Sequence, residues 1–168
     1  MDLIRLSIPY RFIHERTPMS WRDIRFGLKN ELLDPHAAVE MAVEQLGERE
    51  DPTGALIKLA WPDNYDPVEL LVEELAEAEP PASEEEIRKK WLYLVLAWIY
   101  EHRDEDPDPL QRVEEVYADF DYPEEIASFV GYMPMTGPPL GSKEAAIRRM
   151  FQRWKLYIDD AARLYRPS

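Results

Sequence analysis

Ser83 to His102 reads SEEEIRKKWLYLVLAWIYEH, and the reading of this stretch decides the fold class. Ser83 with Glu86 three residues on is a capping box, in which the hydroxyl accepts from the N3 amide and the N3 carboxylate reaches back to the cap. Behind the cap come ten consecutive apolar residues, Trp91 to Tyr100. Ten residues make about 15 Å of helix, half of a roughly 30 Å hydrocarbon core, so the segment reads as a buried helix and not as a membrane span. Trp91 and Trp98 stand two turns apart on one face, which places both in the core.

Outward from this helix, five Asp-Pro dipeptides punctuate the chain, at 34–35, 51–52, 66–67, 106–107 and 108–109. Asp accepts bonds from the free N–H groups of a first turn, and Pro at N1 lacks a donor that would go unpaired anyway, so several of these read as helix starts. Helices are expected over Asp34–Leu46, closed by Gly47, and over Asp66–Ala78, Asp108–Phe120 and Ser142–Leu164. Shorter ones are expected over Ser20–Lys29, Gly54–Trp61 and Tyr122–Tyr132. Only Ile4–Phe12 reads as a plausible strand. The expected fold class is therefore all-α, a compact multi-helix domain with at most a short N-terminal strand.

Aligned on their Asp-Pro pairs, three helices place apolar residues in one phase: Val39 and Val43, Leu71 and Leu75, Val113 and Tyr117. That phase admits a helical repeat, but the starts fall at Asp34, Asp66 and Asp108, an unequal spacing, and any amphipathic helix so capped shows the same pattern. Met133–Gly141 (MPMTGPPLG) is the longest break, too rich in Pro and Gly to be helical throughout. Beyond it Ala146, Met150, Trp154, Tyr157, Ile158 and Ala161 line one apolar face, so residues 1–168 are read as a single helical domain with the terminal helix packed on the core.

The chain has 168 residues, 34 acidic and 20 basic side chains, and no cysteine. Without thiols there is no disulfide framework, thiolate metal site or cysteine nucleophile. The start carries an acid where a signal peptide is basic, and Arg5 and Pro9 interrupt any apolar run, so a cytoplasmic location is expected. A net charge of −14 disfavours an electrostatic grip on nucleic acid or anionic membrane, both of which depend on clustered Lys and Arg.

The charge is uneven. Residues 40–87 hold 15 acids and 2 bases, and residues 101–125 hold 11 acids and 2 bases, whereas residues 142–168 are net positive. Glu69, Glu73 and Glu77 recur every four residues with Glu74 beside them, opposite Val68, Leu71, Val72 and Leu75. Like charges so spaced cost a helix roughly 0.2–0.5 kcal/mol per pair, and no base is interleaved to relieve them. Glu69, Glu73, Glu74 and Glu77, with Glu114 and Glu115 of the second acidic stretch, are the candidate partner-binding residues. The alternative is that these acids form a solvated face that keeps the protein soluble.

Catalytic signatures are lacking. His14, His36 and His102 fall in three separate segments outside any HExxH or Glu-x-x-His pattern. No serine sits in a G-x-S-x-G elbow, and Ser20, Ser83 and Ser142 read as helix caps. Gly137–Lys143 lacks the Gly-Lys-Ser/Thr order of a phosphate loop, and Asp104–Asp108 lacks the glycine of a calcium loop. No catalytic residue, metal ligand or cofactor is assigned.

Thr17–Leu28 (TPMSWRDIRFGL), followed by an Ala/Val-rich helix, resembles the amino-terminal signature of a bacterial domain-of-unknown-function family, number 2247. Leu140–Lys143 leading to Arg153-Trp154-Lys155-Leu156-Tyr157 is similar to the same family's close. The resemblance implies a small, mostly helical bacterial protein without established activity, of a kind similar to immunity partners in toxin systems. Within the motif, Ser20 caps, Trp21 and Ile24 pack, and Gly27 allows close helix approach. Together these readings point to a non-enzymatic acidic protein with a basic protein partner, an immunity-type inhibitor of a nuclease-like toxin domain. The alternatives are a helical adaptor and, less favoured, an enzyme using carboxylates or a metal.

Overall fold

The structure, a computed structural model, describes residues 4–48, 54–61, 66–130 and 142–166. Among them the regular secondary structure is helical, and the fold is all-α. The strand expected over Ile4–Phe12 does not form. Ile8 makes one isolated parallel bridge to Leu33, with Leu6 N donating to Glu31 O, Ile8 N to Leu32 O and Asp34 N to Ile8 O. Pro9 then stands at the N-cap of α1 (Tyr10–Arg16), whose helical geometry ends the extended run.

Contacts group the described residues into two units, residues 5–91 and residue 4 with residues 92–166. The first unit holds α1, α2 (Trp21–Lys29), α3 (His36–Glu48), α4 (Gly54–Ala60), α5 (Val68–Glu77) and the first half of α6 (Glu84–Glu101). Its core gathers Ile8, Ile13, Trp21, Ile24, Leu32, Leu56 and Trp91, all essentially inaccessible. Within it α2 packs on α5, α3 on α4, and α4 on α5.

Helix α2 is built by its sequence motif. Ser20 accepts from the Asp23 amide, and the Asp23 carboxylate accepts from the Ser20 amide, a complete capping box. At the other end Glu31 adopts a left-handed conformation (φ 55°), so that Leu32 N reaches Gly27 O at 2.9 Å and Glu31 N reaches Leu28 O at 3.2 Å, a Schellman close. The buried Asp23 carboxylate also accepts from Lys90 Nζ at 2.8 Å, and Trp91 Nε1 donates to Asp23 O at 2.8 Å. The TPMSWRDIRFGL stretch is thus a joint between two helices far apart in sequence.

The common phase of the Asp-Pro helices holds at Leu71 and Leu75 and at Val113 and Tyr117, which are buried, and fails at Val39 and Val43. Helix α3 buries Ala37, Ala38, Met41 and Ala42 and leaves Val43 exposed, a face turned by two residues from the one α5 buries with Leu71, Val72, Leu75 and Ala76. Asp34 forms a local turn to the His36 amide, α3 starts there, and Gly47 lies inside the helix. In α5, Pro67 and not Asp66 occupies the cap position. Asp51-Pro52 lies outside the described residues.

The second unit comprises the rest of α6, a 3₁₀ turn (Arg103–Glu105), α7 (Pro109–Asp119), a 3₁₀ helix (Glu124–Phe129) and α8 (Lys143–Tyr165). Here Asp108 caps as read, its side chain accepting from the Gln111 amide with Pro109 at N1. After α7 the chain closes through Asp121 and Tyr122, both left-handed, with Tyr122 N on Tyr117 O at 2.8 Å. It therefore arrives at Pro123 extended and enters a short 3₁₀ helix instead of the α-helix expected from Tyr122. Helix α8 buries Trp154, whose Nε1 donates to Leu96 O at 3.2 Å while Tyr100 meets the indole edge-on at 5.1 Å. Trp98 is only half-buried, its ring 3.9 Å from that of His102. The Met133–Gly141 break lies outside the described residues.

Candidate functional site

The acidic row on α5 does not stand alone. Arg25 on α2 sends Nη1 to Glu73 Oε1 and to Glu77 Oε1, each at 2.8 Å. One guanidinium therefore bridges two carboxylates a helical turn apart, which removes the repulsion that their spacing would create. Partial burial opposes the charge on Arg25, but the hydrogen bonds to Glu77 and Glu73 outweigh it and raise its pKa. The same bond from Arg25 holds the Glu77 carboxyl below its ordinary value.

Two residues past the end of α5, Glu79 accepts from the amides of Trp21 and Arg22, both at 3.0 Å, and its carbonyl accepts from Arg22 Nη2 at 3.1 Å. A carboxylate thus sits on the free N–H groups at the start of α2, where the helix dipole favours it. The order of partners, Arg22 to Glu79 and Arg25 to Glu77 and Glu73, makes α2 and α5 antiparallel. Their surfaces form a charge ladder, positive on α2 and negative on α5.

At the far end the ladder opens. Arg25, Leu28 and Lys29 from α2 and Glu69, Val72 and Glu73 from α5 line an open groove of about 180 Å³. Among the described residues, the side chains of Glu69, Glu74 and Lys29 make no hydrogen bond or ion pair. Leu70 stands between the two unpaired acids in sequence and is 65% exposed. Elsewhere in this unit Val43, Ile57 and Trp61 are exposed as well, Trp61 at 61%.

Of the six sequence-selected acids, then, Glu69 and Glu74 are unpaired, while Glu73 and Glu77 are held by Arg25. Glu114 and Glu115 belong to α7 in the other unit, where Glu115 pairs with Arg112, which also binds Asp106 at 3.2 Å. Sequence reading missed Arg25 and Glu79. The available signal was the spacing of Arg22, Arg25 and Lys29, a basic face on α2 with the same helical pitch as the acidic one on α5.

The histidines stay apart. His14 stacks on Tyr10, whose hydroxyl donates to Glu44 at 2.9 Å; His36 begins α3; His102 closes α6 with Nδ1 2.8 Å from Trp98 O. Burial, and then the bond to Glu44, pushes the Tyr10 phenol upward. This keeps Tyr10 a hydrogen-bond donor and unsuited to act as a base. In the Asp104–Asp108 stretch Asp106 accepts from the Asp108 amide and from Arg112, so its carboxylate is used locally. Among the described residues no group of three or more His, Asp or Glu is placed to hold a metal ion, and no helix is long and apolar enough to cross a membrane.

Residues 10–162 match a bacterial family described as "Uncharacterized protein conserved in bacteria (DUF2247)". No curated protein and no solved structure matches the chain.

Proposed function

We propose, for a chain that belongs to the DUF2247 family, a non-enzymatic binding function in which α5 presents an acidic, apolar-centred surface to a basic protein. The observation that carries this reading is Leu70, 65% exposed, with the carboxylates of Glu69 and Glu74 on either side unpaired among the described residues. An exposed apolar side chain beside two unpaired carboxylates offers a basic surface both an apolar contact and opposite charge. Intrachain pairing at Glu73 and Glu77 narrows the docking row to the part of α5 that α2 does not neutralise.

The partner class follows from charge. Residues 40–87 carry 15 acids against 2 bases, a field that repels nucleic acid and accelerates encounter with a basic surface. A nuclease-like toxin domain, basic because it must bind nucleic acid, is the partner for which such an antidote is fitted, and an antidote profits from association toward about 10⁸ M⁻¹s⁻¹ at low salt.

Affinity capture from the native bacterium at low salt, with a parallel wash near about 0.5 M salt where screening is nearly complete, tests the reading. Retention of a basic protein that the salt wash releases, and that the Glu69→Lys/Glu74→Lys variant no longer retains, is the expected result. Equal retention by the charge-reversed variant, or no retained basic protein, refutes it.

A further inference from the structure

Glu40, Glu44 and Glu48 repeat every four residues on α3, as the acids do on α5, but α3 holds no lysine or arginine. Among the described residues, the group that meets this row with a possible positive charge is His14 on α1, whose Nε2 lies 3.7 Å from Glu44 Oε1. Arg25 keeps its charge at every relevant pH, whereas an imidazole does not. We propose that His14 is a proton-operated latch between α1 and α3, tightened by acidification and loosened as the imidazole loses its charge.

The latch follows from counting hydrogens. Tyr10 Oη stands 2.9 Å from Glu44 Oε2 and 3.2 Å from His14 Nδ1, and the phenol has one hydrogen to give. It goes to the carboxylate, the stronger acceptor, because two bare oxygens at that distance would repel. Tyr10 therefore meets His14 as an acceptor, and Nδ1 carries a hydrogen. A neutral imidazole has no other, so Nε2 turns a lone pair toward Glu44. A second proton converts that contact into an ion pair and leaves the remaining bonds as they are. The surrounding charges favour it: Glu40 and Glu48 on α3 act on the same phenol, while Arg11 and Arg16 on α1 pair with Glu15. The unfolded chain lacks this arrangement. The folded state accordingly binds more protons across the imidazole range, within about pH 5–8, and the contribution present at low pH is lost as pH rises.

The test uses the full-length ¹⁵N-labelled protein. Hydrogen exchange at the amides of Ile13 to Arg16, corrected for intrinsic rates, reads the local opening of α1. Protection should be about threefold greater near about pH 5.5 than near about pH 8, the value of one half-exposed ion pair. The difference should vanish in His14→Gln and in Glu44→Gln. Imidazole ¹⁵N shifts of the parent chain near about pH 8 should place the hydrogen of His14 on Nδ1. That second readout needs no variant, so it holds should Glu44→Gln disturb α3. A hydrogen on Nε2 would reverse the count and overturn the latch. Equal protection at both pH values in the parent, or a gain on acidification that survives in His14→Gln, would overturn it as well.

Discussion

A Cβ placed on Gly27 falls 2.4 Å from Cζ2 of Trp91 and 2.7 Å from Cη2, so the backbone of α2 and the indole of α6 meet with only glycine's hydrogen between them. Both atoms belong to a ring pinned by its own hydrogen bond to Asp23 O, and Trp91 is fully buried. The ring therefore has little freedom to retreat.

Gly27→Ala should accordingly destabilise the protein by about 1–3 kcal/mol, the usual cost of overpacking a rigid contact. Chemical denaturation measures it. In a Trp91→Leu background the same substitution should cost markedly less, because the opposing atoms are gone; an undiminished cost would place the strain elsewhere.

Asp23 and Lys90 form a part-buried ion pair of the same joint, at 2.8 Å. Removing Lys90 leaves the Asp23 carboxylate with the Ser20 amide, so Lys90→Met should cost about 1–3 kcal/mol. Asp23→Ala should cost at least as much, since it also deletes the capping box. A double-mutant cycle checks the coupling: Asp23→Ala/Lys90→Met should be less destabilised than the two single losses added.

Acid should weaken the α2–α5 contact. The Glu77 carboxyl is held low by Arg25, so its contribution is present above the ordinary carboxylate range, near about 4.3, and is lost as pH falls through the lowered value. Across that window the unfolded chain binds more protons, and stability rises with pH. Urea midpoints between neutral pH and about pH 3 should fall less steeply for Arg25→Gln than for the parent chain. Identical slopes would show that the pair does not report on folding.

Trp154 is the one fully buried side chain of α8 among the described residues, flanked by Tyr100, Phe129 and Phe151. Trp154→Ala should cost about 3–5 kcal/mol, the penalty of a large aromatic cavity. Loss of near-ultraviolet circular dichroism with retained far-ultraviolet signal at moderate denaturant would locate the damage in packing and not in helix content.

Much of the fold is legible because helix signals are local. Ser20 with Asp23, Asp108 with Pro109 and Gln111, and the apolar periodicity of Leu71, Val72 and Leu75 all act within one or two turns, so they can be read along the chain. Where a local signal misled, a turn had intervened. Asp34 spends its side chain on the His36 amide, so α3 starts there and not at Asp34, and Pro9 stands at the cap where the extended start gives way to a helix. Tyr122 completes the close of α7 and cannot begin a helix of its own.

The candidate site was legible in charge but not in pairing. Six acids could be chosen from the sequence, yet Glu73 and Glu77 find Arg25 across separations of 48 and 52 residues, and Glu79 finds the α2 amides across 58 and 57. By itself the sequence determined the all-α class, the caps at Ser20, Asp108 and Ser142, and the acidic character, because helix periodicity and capping are set by neighbours within a turn and charge by composition. Which acids are neutralised, which stay open beside Leu70, and how closely Gly27 admits Trp91 were decided only in the tertiary structure, since those pairings exist only after packing has brought distant helices side by side.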